Sequence, residues 1–177
     1  MWPRDARHCP QCAAPLQALH NEGRSRPGCA ACGFVLYHHP ASAAAGLVVD
    51  PHGQLLLVRR AIEPFRGAWA LPAGYQELEE TPAQALEREV FEETGLTVRA
   101  EQLLDLLYLS GDPRRPANVA LYLCRALSGR LVGGADVSAV GWFALGALPE
   151  GMAFDNNQLI AARRSAIECY AAALRSD

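Results

Sequence analysis

The residues with the clearest chemical potential lie between Arg88 and Gly95, in the run Arg88-Glu89-Val90-Phe91-Glu92-Glu93-Thr94-Gly95. On a helix, steps of three and four residues bring Glu89, Glu92 and Glu93 onto one face. Like charges at those spacings repel by roughly 0.2–0.5 kcal/mol per pair. Glu92 and Glu93 also sit in the last helical turn, where the macrodipole disfavours anions. A bound cation would reverse both penalties, and an oxygen-only donor set suits a hard ion such as Mg²⁺ or Mn²⁺ rather than zinc. The plainer alternative is a solvated acidic face in which Arg88 pairs with Glu92 four residues on.

A second cluster is sulfur-based. Cys9-Pro-Gln-Cys12 and Cys29-Ala-Ala-Cys32 are two Cys-x-x-Cys pairs separated by 16 residues. This spacing resembles four-cysteine zinc ribbons, whose tetrahedral thiolate site is closed and structural. So small a segment buries little core, and metal binding would supply most of its folding free energy. His8, His20, His38 and His39 are surplus to a site that four thiolates already fill. A redox pair is the weaker alternative. Cys124 and Cys169 stand alone in apolar surroundings and are expected as buried small hydrophobes.

These groups need elements to hold them. Thr81 is the expected N-cap of a helix over Pro82–Thr94, with proline in the first position and Gln84 completing a capping box. Gly95 stands where a left-handed residue ends a helix. Upstream, Ala43–Val49 and Leu55–Val58 read as a hairpin around Asp50-Pro51-His52-Gly53. Ala68–Leu71 reads as a short strand running into Pro72-Ala73-Gly74. Thr97–Leu109, Asn118–Arg125 and Ala139–Phe143 read as further strands, and Asn156–Leu174 as one final helix with Leu159, Ile160, Ile167 and Tyr170 on its apolar side. Mixed strands with flanking helices predict an α/β (α+β) sandwich over residues 41–177. Residues 1–40, rich in Cys, His, Pro and Gly, form a separate small domain whose apolar cluster is Phe34-Val35-Leu36-Tyr37.

The 177 residues are half hydrophobic and 20% charged, with a formal net charge of −3. No overall basic surplus supports a sequence-independent grip on nucleic acid, although Arg4, Arg7, Arg24 and Arg26 give the cysteine segment a local basic bias that keeps nucleic acid or a substrate phosphate open. No apolar run approaches the roughly 20 residues that span a bilayer. Met1-Trp2-Pro3-Arg4-Asp5 lacks the pattern of a secretory signal, so a cytoplasmic location is expected.

Gly74, five residues, Glu80, seven residues and then Arg88-Glu89-Val90-Phe91-Glu92-Glu93-Thr94-Gly95-Leu96 resembles the Nudix box at every defined position. The likeness extends from about Ser42 to about Leu174, through Leu55–Arg60, Gly67–Gly74 and Gly141-Trp142-Phe143. It implies the Nudix α/β/α sandwich, and hydrolysis of a nucleoside diphosphate linked to another group with Mg²⁺ or Mn²⁺ as cofactor. Carried over by position, Glu92 and Glu93 would bind the metal with the Gly74 carbonyl region. Glu89 would be a further ligand or the base that activates water, Arg88 would orient Glu89, and Glu80 would tie the loop to Arg88. Some members recruit a base from a later loop, for which Asp136 and Glu150 are candidates. The resemblance also implies a homodimer.

Two ribbon-bearing groups of the family are similar. The NADH and NAD-capped RNA pyrophosphatases carry Ser-Gln-Pro-Trp-Pro-Phe-Pro after the box, where this chain has Leu109-Ser110-Gly111-Asp112-Pro113-Arg114-Arg115-Pro116. The shorter enzymes acting on ADP-ribose and FAD resemble it in Leu71-Pro72-Ala73-Gly74-Tyr75 and in Ala153-Phe154, with Tyr37-His38-His39-Pro40 in place of their Tyr-x-Asn-Pro. A nucleotide substrate needs cations for its phosphates, for which Arg59, Arg60, Arg66, Arg114 and Arg115 are candidates. It also needs ring surfaces for its base, for which Phe65, Trp69, Tyr75 and Phe154 are candidates, against an ordinary role as solvated arginines and core aromatics. Trp142-Phe143 is expected in the core. In a non-catalytic alternative, the fold binds a nucleotide and the ribbon contacts nucleic acid or protein.

Overall fold

The computed structural model describes residues 6–110 and 115–176; Arg4 and Arg114 lie outside them. The chain forms two compact units, Met1–Pro40 and Ala41–Asp177. In the first, strands β1 (Gln17–Asn21) and β2 (Arg24–Gly28) pair antiparallel. Glu22 and Gly23 between them both have positive φ, 49° and 74°, the backbone of the tight turn whose twist matches a two-stranded ribbon. This hairpin is absent from the sequence expectation, because its strands carry almost no apolar alternation. The two cysteine knuckles share one geometry. Ala13 N–H donates to the Cys9 carbonyl at 2.9 Å, and Gly33 N–H to the Cys29 carbonyl at 2.9 Å. Ala13 and Gly33, each directly after the second cysteine of its pair, are left-handed at φ 59° and 76°.

In the second unit β3 (Ala41–Val49) and β4 (Gln54–Arg60) form a hairpin that stays paired only near its turn, at Val49↔Leu55. Beyond that point the strands diverge, and each takes new partners. β4 pairs with the short β5 (Trp69–Ala70) and with β9 (Val137–Ala144). β3 pairs with β6 (Ala73–Tyr75) and runs parallel to β8 (Ala117–Gly129), which in turn pairs with β7 (Leu96–Leu109). Leu71-Pro72 joins β5 to β6 across the gap, and Gly46 N–H donates to the Pro72 carbonyl at 3.0 Å.

Helix α1 (Pro82–Thr94) has the bounds and the capping box that its sequence predicts, and it ends at Gly95 with φ 72°. Leu86, Val90 and Thr94 recur every four residues and are fully buried. Leu86 and Val90 pack on Ala44, Val48 and Ala120 of β3 and β8, which leaves the carboxylates on the other side. Gly46 admits this helix closely, since a Cβ there would lie 3.2 Å from Leu86. The expected final helix is broken in two. α2 (Asn156–Ala162) and α3 (Arg164–Leu174) meet at Arg163, whose φ of −118° and ψ of 11° are not helical. Ile160 and Ile167, two helical turns apart, both face the sheet, with Leu159 and Tyr170 partly buried beside them. Trp142 and Phe143 pack on opposite faces, as alternation in β9 requires. Cys124 is buried as expected, but Cys169 is exposed, because it falls on the solvent side of α3. No described helix is long and apolar enough to cross a membrane.

Candidate active site

The Arg88 guanidinium draws the box residues together. Its Nε and Nη2 donate to the two Glu80 oxygens at 2.6 and 3.0 Å, a bidentate pair across eight residues. Nη1 donates to Glu89 Oε1 at 3.0 Å and to Glu92 Oε2 at 3.2 Å, and Nη2 also reaches the Tyr75 carbonyl at 3.0 Å. The pairing of Arg88 with Glu92 that an ordinary acidic face would show is therefore present, within a larger network. Glu80 also accepts the Glu77 N–H at 3.0 Å, and its carboxyl is held down to about 2, first by the Arg88 hydrogen bonds and then by that N–H. The Gln76 amide fixes the same loop by donating to the Glu80 carbonyl, while its own Oε1 accepts from Ser42 Oγ at 2.6 Å.

Glu93 lies outside the reach of Arg88. Its Oε2 accepts the Ala73 N–H at 3.2 Å. Burial pushes its carboxyl up to about 8, the neighbouring Glu89 pushes in the same direction, and the Ala73 N–H and Arg60 act against both. Glu89 is also raised, chiefly by burial, against the lowering effect of Arg88.

Gly74 is required here for space. It lacks the positive φ of Gly95, yet a Cβ on it would lie 1.9 Å from Glu89 Cδ and within 2.3 Å of both its oxygens. The Glu89 carboxylate thus rests directly over the Gly74 α-carbon. At the far end of α1, Val132 N–H donates to the Thr94 carbonyl at 2.9 Å and Gly134 N–H to the Glu93 carbonyl at 3.1 Å. These bonds satisfy carbonyls that the helix leaves open and seat the loop that carries Asp136.

Glu77, Glu89, Glu93 and Asp136 line a cavity of about 340 Å³. The rest of its wall comes from both arms of the divergent hairpin. Val58, Arg60 and Ala70 stand on one side, and Ala43, Ala45 and Val119 on the other, with Tyr75, Phe154 and Asn156 at its margins. Of the sequence candidates, Arg60, Glu89, Glu93, Gly74, Tyr75, Phe154 and Asp136 reach this cavity; Glu80, Arg88 and Glu92 join it through the guanidinium network. Glu150 is exposed and is not part of the lining. Arg59 donates to the Gly67 carbonyl at 2.8 Å, and Arg66 makes a solvent-exposed pair with Glu63 at 3.5 Å; neither lines the cavity. Trp69 packs edge-on against Phe143 at 4.8 Å in the core, whereas Arg115 stacks over Tyr75 at 4.1 Å. Asn156 had no signal in the sequence, because its partner, Leu71, is 85 residues away.

In the other unit, Cys9, Cys12, Cys29 and Cys32 bring four sulfurs within 4.8 Å of one another. The Cys9–Cys32 and Cys12–Cys29 separations are 3.5 and 3.4 Å, far too long for disulfides. They approach the roughly 3.8 Å edge of a tetrahedron with Zn–S bonds of about 2.3 Å. The backbone N–H of Cys32 lowers the Cys29 thiol to about 7, whereas Cys32, against the lowering pull of the Phe34 N–H, is pushed up to about 12 by burial and the neighbouring sulfurs. None of the four histidines belongs to this cluster.

Replacing Gly74 by Ala is expected to expel the Glu89 carboxylate from its seat while leaving the circular dichroism spectrum unchanged. Turnover should fall by about 10-fold or more, the order of loss expected when a site group is displaced from its working position. Titration of the cation-free protein tests the Glu93 environment. With a folded value near 8 and an unfolded value of about 4.3, the folded state holds the extra proton between these limits. Stability should therefore fall as pH rises through that window, and Glu93→Gln should flatten the slope in urea unfolding.

The chain matches the NUDIX domain family model over residues 39–162. It is 37% identical to an ADP-ribose pyrophosphatase of Methanocaldococcus jannaschii over 129 residues, 72% of this chain and 75% of that one. It is 30% identical to an NAD-capped RNA hydrolase of Pseudomonas aeruginosa over 153 residues, 84% of this chain but only 51% of that longer protein. Among solved structures, a NUDIX hydrolase from Nitrosomonas europaea superposes with a TM-score of 0.78 at 26% identity, covering 90% of this chain and 92% of that one. The sandwich, the guanidinium-held carboxylates and the family match over most of the chain make this protein a member of the Nudix hydrolase family.

Proposed function

We propose that this Nudix hydrolase cleaves the diphosphate of an ADP-ribose- or FAD-like compound with Mg²⁺ or Mn²⁺. The observation that carries this reading is the set of carboxylates, Glu89, Glu93 and Asp136, on the wall of a cavity lined by apolar residues from both hairpin arms. A diphosphate flanked by two groups suits such a site, with one group against each arm. The similarity to an ADP-ribose pyrophosphatase supports the same substrate class.

The donor set fits a hard divalent ion: carboxylates crowd together, and burial and then Glu89 push Glu93 up to about 8 against the pull of Arg60. Glu89, Glu92, Glu93 and the Gly74 carbonyl region would hold the ion. When bound, the ion neutralises the diphosphate and acidifies a water molecule. The remaining roles fall to the chain. Arg88 fixes Glu89 and Glu92 through one guanidinium and anchors both to the Glu80 loop. Glu89, raised by its burial, accepts the proton of the attacking water. Water oxygen bonds to one phosphorus as the bridging P–O bond breaks, and two phosphate monoesters leave. Asp136 is favoured over Glu150 as the acid from a later loop, because it lies on the cavity wall. Arg60 supplies a cation beside the phosphates; Tyr75 and Phe154 supply ring surfaces. An NADH or NAD-capped RNA substrate is the second reading, favoured by the 30% identity to an NAD-capped RNA hydrolase. In the Met1–Pro40 unit, the four thiolates would hold one structural Zn²⁺. The protein would act as a cytoplasmic homodimer.

Product analysis with FAD, ADP-ribose, NADH and NAD-capped RNA under each metal tests the assignment. AMP release should be fastest from ADP-ribose or FAD, and Glu89→Gln should lower it by about 10²-fold or more. Nucleotide binding without any turnover would instead favour a non-catalytic module. For the cysteine site, about one zinc per chain is expected by mass spectrometry. A strong chelator should then expose the Met1–Pro40 unit to protease; a zinc-free protein with an unchanged cleavage pattern would refute the assignment.

A further inference from the structure

We propose that Asn156 is a positioning residue that holds the Phe154 ring as a stacking surface for the planar base of the substrate, in the same frame as the carboxylates. The proposal rests on the diphosphate-hydrolase reading and extends it to base recognition.

Phe154 and Asp155 are consecutive non-glycine residues in the left-handed region, at φ 55° and 53°. L side chains disfavour that conformation, and it persists where the surroundings over-determine it. Two asparagines supply the constraint. Asn156 is only 7% exposed. Its Oδ1 accepts the Leu71 N–H at 2.8 Å, and its Nδ2 donates to the Phe154 carbonyl at 3.4 Å. Asn157 accepts the Met152 N–H at 3.1 Å and donates to the Pro149 carbonyl at 3.1 Å, which closes the turn from its other side.

Leu71 lies three residues before Gly74, on the segment whose Ala73 N–H holds Glu93. One buried amide therefore ties the ring to the backbone that seats the carboxylates. The ring stays partly exposed and lines the cavity. Phe65 meets it edge-on at 4.8 Å and 72°, and Arg60 lies 5.3 Å from its centroid. A fully apolar core contact would not need a strained turn, whereas a ring that must be presented to a ligand at a set angle does. A planar heteroaromatic, the base of a nucleotide, is the ligand that such a ring recognises.

The test compares ADP-ribose with a diphosphate diester of two ribose 5-phosphates, which has the same linkage and no base. Phe154→Ala should raise KM for ADP-ribose by about 10-fold, the size of a lost base–aromatic stack, with kcat nearly unchanged and the baseless substrate unaffected. Asn156→Ala should act in the same direction, and so should Asn156→Asp, which keeps the acceptor for Leu71 but has no donor for the Phe154 carbonyl. Phe154→Gly should melt above Phe154→Ala, because glycine relieves the left-handed strain while the ring is lost in both. Equal losses on both substrates, or an unchanged KM for ADP-ribose in Phe154→Ala and Asn156→Ala, would overturn the proposal. Calorimetric titration of ADP-ribose separates the two layers. A wild type that binds but does not hydrolyse refutes the hydrolase reading and still measures the role of the ring through Kd. A wild type that does neither refutes both.

Discussion

The crowding of carboxylates around one guanidinium is the constraint from which the site follows. Glu80, Glu89 and Glu92 repel one another, and Arg88 gives all three a shared counter-charge with five well-directed donors. A lysine could not do this, since an ammonium has no planar fork to grip Glu80 with two bonds while reaching two further carboxylates. The same guanidinium takes the Tyr75 carbonyl, so the strand before the loop, the loop and the helix are joined at one point. Glu93 is left out of this arrangement and hangs from a single backbone N–H. Its raised pKa follows first from burial and then from the neighbouring Glu89.

Much of this was legible in the chain because the interactions are local. The helix, its cap and its end follow from residues within four positions of one another, and so does the face on which the acids lie. Other features depend on long-range pairing and left weaker traces. Arg59 and Arg60 are adjacent on a strand, so only one can face the cavity; a bulge between them in the pairing with β9 shifts the register that would have told which. The break at Arg163 has no proline or glycine to announce it, and both halves have good helix formers. Cys169 lies among apolar neighbours in the sequence, yet it stands two positions from buried Ile167 and so faces solvent on α3. The β1–β2 ribbon has no apolar alternation to betray it, since knuckle hydrogen bonds and sulfur geometry take the place of a core.

Gly74 illustrates how one residue type answers different demands. Gly95 is needed both for a left-handed φ and because a Cβ would lie 2.6 Å from the Arg130 carbonyl oxygen, and Gly74 only for the absence of a Cβ beneath Glu89. A motif that lists both as glycine hides two unlike physical reasons. Alanine at the first would strain the backbone and loosen the helix end; at the second it would leave the backbone content and evict the carboxylate.

The β3–β4 hairpin is paired at its turn and open beyond it, with the box segment bridging the opening. The acids on α1 sit beside this bridge, with Glu93 held by its Ala73 N–H, while the surfaces on either side belong to separate strands. Substitutions in one arm alter what one end of a substrate meets and leave the bridge and the opposite arm untouched. On the proposed binding mode, the two ends of the molecule being cleaved would thus be selected by nearly independent sets of residues. Such an architecture can drift from one substrate to another in small steps, each changing half of the recognition and none of the chemistry.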